Sequence, residues 1–184
     1  MRDLSLHILD LAQNSVRAEA SLVEITVSVD ESRLITITIR DDGSGMSDEL
    51  KERVTSPFAT TRTTRKVGLG IPLMMQNARL AGGDVRIDSP LGQGTTLTAT
   101  LHGDSIDCLP LGDLAGTVVS LVSANPERPD FRLSCSSPKG SMDFDTREMR
   151  QALGNVPLNE PEITAWMLSA IQEEIEPIFG GVIL

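Results

Sequence analysis

The chain has 184 residues, a formal net charge of −10 and a hydrophobic fraction of 40%, which allows one full domain and a small second module around a real core. The negative field repels phosphate backbones and anionic lipid, and four Phe, one Trp and no Tyr give little material for stacking bases, so nucleic acid and a membrane surface are both disfavoured as partners. No apolar run approaches the roughly 20 residues of a membrane span, and Cys108 and Cys135 form neither a CxxC pair nor a Cys/His cluster; the expectation is a cytoplasmic protein without structural zinc or a redox motif.

Leu4, Ile8, Leu11 and Ser15/Val16 recur at helical spacing, with Leu6 and Leu9 widening the apolar face, which predicts a helix from Leu4 to Ala18. Val23, Ile25, Val27 and Val29 alternate, as do Ile35, Ile37 and Ile39, and Asp30-Glu31-Ser32 lies between them: a hairpin with one face inward. Ser47, Asp48 and Glu49 read as the cap and first turn of a short helix through Val54. Residues 55–67, TSPFATTRTTRKV, hold no period and read as a long mobile segment. A helix then opens at Gly68-Leu69-Gly70 and stops at Gly82-Gly83, and GDVRIDS and GTTLTATLHG follow as two strands joined by PLGQ.

Beyond Gly103 the composition changes. TVVSLVSAN reads as a strand able to extend the main sheet or to pair between subunits, which leaves a homodimer open. FRLSCSSPKGSMDFD reads as a hairpin, and TREMRQALG and PEITAWMLSAIQEEIEP as helices. In the last of these, Ile163, Met167, Ile171 and Ile175 offer one apolar face, either for a partner or for packing onto the chain itself. The fold class expected is α+β, with layers of helix and sheet over 1–103 and a smaller α+β extension over 104–184.

Three places carry chemistry. Asp10, Asn14 and Arg17 share one face of the first helix. Such a trio is compatible with a solvated stripe, and equally with a carboxylate that orients water, an amide oxygen that ligates Mg²⁺ and a cation that meets phosphate. DDGSGM at 41–46 puts two carboxylates and two glycines after a strand, where a plain turn would also suit. Gly68, Leu69 and Gly70 would turn free N–H groups outward at a helix start.

Taken in order, Asn on the first helix, DxGxG after a strand, GLG at a helix start and GxGT at a final strand resemble the GHKL ATPases, the group of DNA gyrase, the heat-shock chaperone of that fold, histidine kinases and MutL. The resemblance covers about residues 1–102 and implies a histidine kinase-like α/β sandwich, a mixed sheet with helices on one face, that binds ATP with Mg²⁺. It implies that Asp41 accepts a hydrogen bond from the adenine amino group, with Gly43 and Gly45 letting the backbone lie close to the base. Asn14 would ligate the metal, Arg17 would meet phosphate, and Gly68, Leu69 and Gly70 would hold the triphosphate. SPFATTR is similar to the PFFTTK stretch of nitrogen-regulator-type histidine kinases, so Phe58 would pack a lid while Thr60, Thr61 and Arg62 approach the terminal phosphate. SPLGQGTTLTATL looks like the last glycine box, which puts Thr95 or Thr96 near the base.

In MutL and gyrase a Glu precedes that Asn by four residues and polarises water; Asp10 stands there with one methylene fewer, so slow hydrolysis is expected. Arg17, where MutL has Asp, is more kinase-like. Histidine kinases carry their acceptor His on a helical segment ahead of this domain, and here the domain begins at the first residue, so a stand-alone form is expected. His7 reads as a helix-packing residue and His102 as the end of a strand. The function expected is phosphoryl transfer in trans to a protein phosphoacceptor; the alternatives are a slow ATP-hydrolysing switch and a nucleotide-sensing module without turnover.

Overall fold

The computed structural model describes residues 2–55 and 69–180. Helix α1 (Leu4–Arg17) starts at Asp3, whose carboxylate accepts the Leu6 N–H at 2.9 Å and so satisfies one of the donors a helix start leaves free. Leu4, Ile8, Leu11 and Ala12 are buried, which turns Asp10, Asn14 and Arg17 toward the more open side.

Strands β1 (Leu22–Val29) and β2 (Leu34–Asp41) pair antiparallel with Val27 opposite Ile37. Alternation sends Val23, Ile25, Val27 and Val29 inward together with Ile35, Ile37 and Ile39, and turns Thr26 and Thr38 outward. The short helix α2 (Asp48–Thr55) is capped by Ser47, whose hydroxyl accepts the Leu50 N–H at 3.2 Å. Helix α3 (Gly70–Leu80) ends at Gly82, whose φ of +76° suits glycine. Strands β3 (Val85–Asp88) and β4 (Thr95–His102) form the second hairpin, and β4 pairs antiparallel with β2.

The segment TVVSLVSAN is not a strand. It lies in helix α4 (Leu114–Ala124), capped by the Asp113 carboxylate, which accepts the Gly116 N–H at 2.8 Å. Its valines favour β-structure in isolation, but Leu114, Ala115, Val118, Leu121 and Val122 are all buried, packed against α1 and later elements. These positions recur at helical spacing and make one buried face, with Ser120 and Ala124 exposed on the other, and that burial overrides the weak preference of β-branched residues. The strands that do extend the sheet are β5 (Asp130–Ser137) and β6 (Gly140–Asp145), followed by helices α5 (Thr146–Leu153) and α6 (Pro161–Phe179).

The six strands lie in the order β3-β4-β2-β1-β5-β6. β5 runs parallel to β1, Leu133 opposite Ile25, and the other pairs are antiparallel, so the sheet is mixed, as expected. α1, α3, α4 and α6 pack against its inward residues. Met167, Ile171 and Ile175 of α6 are buried in that core, which removes most of the face considered for a partner. Among the described residues no helix is long and apolar enough to cross a membrane, and both cysteines are free.

Two features of this frame bear on the site. The Leu4 and Ser5 N–H groups donate to the carbonyls of Pro110 and Leu111 at 2.9 Å, and the Ser5 hydroxyl donates to the Leu111 carbonyl at 2.6 Å. The chain beyond Gly103 therefore closes the first turn of the helix that carries Asp10, Asn14 and Arg17. The second feature is the close fit of the loop after β2 and the loop before β4: Gly92 N–H donates to the Ser44 carbonyl at 2.7 Å, so the two glycine-rich turns lie on each other.

Candidate functional site

A cavity of about 250 Å³ opens between α1, the end of β2, α2 and the start of β4. Leu11, Ile39, Met46, Leu50, Val54, Ile71 and Leu97 make most of its wall apolar, and Asn14, Ser15, Arg17, Asp41 and Thr95 add the polar groups. A mostly apolar cleft with a few converging polar groups is the usual form of a small-molecule site.

Asp41, only 8% exposed, is the carboxylate inside this wall. Its Oδ1 accepts the Gly43 N–H at 2.9 Å and the Thr95 N–H at 3.3 Å, and its Oδ2 accepts the Ser15 hydroxyl at 2.5 Å. Three donors from three elements hold the group in one orientation, and a carboxylate has lone pairs left for one more. Ser15 falls in the helical period of the buried face of α1 and carries a hydroxyl where that face otherwise buries apolar residues, which calls for a buried partner.

Asp42, next along the chain, faces the other way. Its Oδ1 accepts the N–H groups of Ser21 and Leu22 at 2.7 and 3.0 Å, and its Oδ2 accepts the Ser21 hydroxyl. It ties the end of β2 to the start of β1 and lies outside the cavity. The paired carboxylates of DDGSGM thus divide by strand alternation, one to the cavity and one to the frame. Partial burial acts to raise the Asp42 carboxyl, but the Ser21 hydroxyl and the Leu22 and Ser21 N–H groups outweigh it and hold it below the usual aspartate range. A carboxyl held lower in the folded than in the unfolded chain contributes stability above its unfolded value, lost as pH falls through the folded one. Asp42→Asn is therefore expected to lower the melting temperature at pH 7 and to flatten the acid-side loss of stability below the ordinary aspartate range of about pH 4, measured by thermal melts across pH. An unchanged acid limb would remove Asp42 from this role.

The glycines answer to protein rather than to open space. A Cβ on Gly43 would lie 2.7 Å from the Ala18 carbonyl oxygen, and one on Gly45, whose φ is +65°, would lie 2.1 Å from the Pro90 carbonyl oxygen. Of the two, Gly45 reaches the cavity wall. Thr95 lines the cavity, its hydroxyl 2.7 Å from that of Ser89. Thr96 turns by alternation to the opposite side of the sheet, in a polar cleft with Arg40 and Asp88.

Asn14 and Arg17 sit together at the cavity mouth, where the Arg17 Nη1 donates to Asn14 Oδ1 at 2.9 Å. Asp10 is not in the cavity wall. It lies beside the start of α3, where a Cβ on Gly70 would be 3.1 Å from the Asp10 Cβ. Leu69, the residue before α3, is 55% exposed and provides no side-chain cap. Phe58, Thr60, Thr61, Arg62 and Gly68 lie outside the described residues.

The pattern of the family described as histidine kinase-, DNA gyrase B- and HSP90-like ATPase matches residues 2–105. Among curated relatives, the sensor histidine kinase WalK of Bacillus subtilis is 31% identical over an alignment of 109 residues, with 54% of this chain and 18% of that one covered. The histidine protein kinase DivJ of Caulobacter vibrioides is 31% identical over an alignment of 105 residues, again with 54% of this chain and 18% of the other covered. The match thus takes in about a fifth of the length of these relatives. Among solved structures, the N-terminal domain of a DNA repair protein aligns with a TM-score of 0.52 at 15% identity, covering 79% of this chain and 52% of that one. That share exceeds what residues 2–105 supply, so the likeness of fold takes in part of the chain beyond them.

Proposed function

The chain belongs to the histidine kinase-, DNA gyrase B- and HSP90-like ATPases, and from that membership we propose that it binds ATP with magnesium in the cavity beside α1 and supports phosphoryl transfer to a separate protein. The observation that carries this reading is Asp41, a buried carboxylate fixed from three sides in an apolar wall. It can accept the amino N–H of adenine. Guanine offers an oxygen at that position, which would leave a buried acceptor facing an acceptor at a cost of about 1–3 kcal/mol.

Leu11, Ile39, Met46, Leu50 and Leu97 would enclose the base. Asn14 and Arg17 at the mouth would meet the polyphosphate, helped by the N–H groups at the start of α3. Among the described residues no three His, Cys, Asp or Glu side chains come together to hold a metal ion by themselves. The donor set fits magnesium that arrives with the nucleotide: Asn14 would offer its amide oxygen, and few other protein ligands are called for because this ion keeps most of its waters. When bound there, it supplies neutralisation of charge on the terminal phosphate. The acceptor's nucleophilic atom would form the new bond to the γ-phosphorus as the bond to the β–γ bridging oxygen breaks and ADP leaves.

One observation favours a second reading, slow hydrolysis. Asp10 stands one turn before Asn14 and beside the start of α3, where a carboxylate could orient water toward the terminal phosphate. Incubation with γ-labelled ATP and a cell lysate separates the cases. Label on a second protein is expected; free phosphate alone supports the hydrolytic switch, and neither product, with ATP still bound, supports a sensing module.

A further inference from the structure

His7 stands on α1 one turn before Asp10, with no solvent exposure. The Asn77 amide of α3 donates to its Nε2 at 2.7 Å, whereas its Nδ1 is buried with no hydrogen-bond partner among the described residues. A packing position that needed only volume would suit leucine better, because a buried polar atom left unpaired costs about 1–3 kcal/mol. What the imidazole adds is one directional bond between α1 and α3. Burial holds its pKa below the usual histidine value against the opposing pull of Asp10 and Asp3, so the neutral ring keeps a lone pair for Asn77.

The same two helices touch at a second point. Gly70, the first residue of α3, rests on Asp10, with 3.1 Å from its would-be Cβ to the Asp10 Cβ and 3.6 Å to Asp10 Oδ2. The contacts at Gly70 and Asn77 are about 10 Å apart along α3. Two points define how far one helix can slide or roll on the other. A close glycine contact alone resists compression but not sliding, whereas a hydrogen bond loses strength steeply when its geometry shifts.

We infer that the His7–Asn77 hydrogen bond sets the height of α3 on α1, and through it the position of the Gly70 end against Asp10 at the phosphate side of the site. His7 is then a positioning residue for the polyphosphate and has no part at the base end, where Asp41 is held by Ser15, Gly43 and Thr95. This inference rests on the nucleotide reading given above, and its test keeps the two apart.

Calorimetric titration of the full chain with ATP and, separately, with adenosine gives the readout. His7→Leu and Asn77→Leu are each expected to weaken ATP about tenfold or more while leaving adenosine within about twofold, the mark of a displaced phosphate end. His7→Gln, whose amide oxygen can accept the Asn77 N–H, is expected to restore ATP to within about threefold of the natural chain. ATP binding unchanged in the leucine variants, or ATP and adenosine weakened in equal proportion, overturns the inference and leaves His7 as packing alone. Should His7→Leu fail to fold, Asn77→Leu, made on the half-buried side of the bond, decides. If the natural chain takes up neither ligand, the nucleotide reading itself has failed and the role of His7 falls with it.

Discussion

Asp41→Asn is expected to lower ATP affinity about thirtyfold or more, a loss of about 2 kcal/mol, while leaving the fold nearly as stable as before. The asymmetry follows from the donors around the group. Gly43 and Thr95 N–H both point at Oδ1, which an asparagine oxygen can replace. Ser15 donates to Oδ2, but a hydroxyl can turn and accept from an amide nitrogen instead. The protein therefore keeps its internal bonds. The ligand does not, because the amide would present N–H where the adenine amino group also presents N–H, and a charge-assisted bond worth about 1.5–3 kcal/mol becomes a clash of donors. Calorimetry with ATP beside a thermal melt gives both numbers. Equal loss in both, or an unaltered affinity, would mean that Asp41 is a structural carboxylate like its neighbour Asp42.

That pair also marks how far the site could be read in the residues. Alternation along β2 places Ile35, Ile37 and Ile39 on one face, and its continuation assigns Asp41 to the same side and Asp42 to the other. The hairpins and α1 were legible for the same reason, since a half-buried element writes its period into the chain. α4 was not. Leu114 to Ala124 buries one face against α1, the sheet and α6, and a short apolar run rich in valine fits strand and helix alike, so its valines suggested the wrong state. The parallel pairing of β5 with β1 is what demands a crossover there, and that pairing is a long-range fact no local window contains. Ser15 was hidden differently: its role appears only once Asp41, far along the chain, is brought within 2.5 Å. Thr95 and Thr96 could not be told apart by motif, but strand phase separates them.

Asn14→Ala is expected to abolish the part of ATP binding that depends on magnesium, whereas Asp10→Asn should spare binding and stop any hydrolysis. Asn14 Oδ1 is an uncharged oxygen at the cavity mouth, and it is already oriented by the Arg17 guanidinium at 2.9 Å. A cation in solution would have to take that oxygen from Arg17, which is exposed and free to swing onto phosphate, so the exchange costs little. Alanine leaves Arg17 for phosphate but removes the protein's ligand to the metal. ATP affinity in the variant should then be the same with magnesium as with chelator, while the natural chain gains roughly tenfold or more from the metal. Asp10 is outside the cavity wall and contacts the start of α3 instead, so under the proposed nucleotide reading an isosteric amide there would alter charge at the phosphate end and leave Asp41 and Asn14 in place. The two substitutions, one helical turn apart, should therefore separate cleanly: one changes the metal dependence of binding, the other only the release of phosphate. An Asn14→Ala protein that still gains affinity from magnesium would move the metal to other ligands, and an Asp10→Asn protein that still hydrolyses ATP would remove Asp10 as the group that orients water.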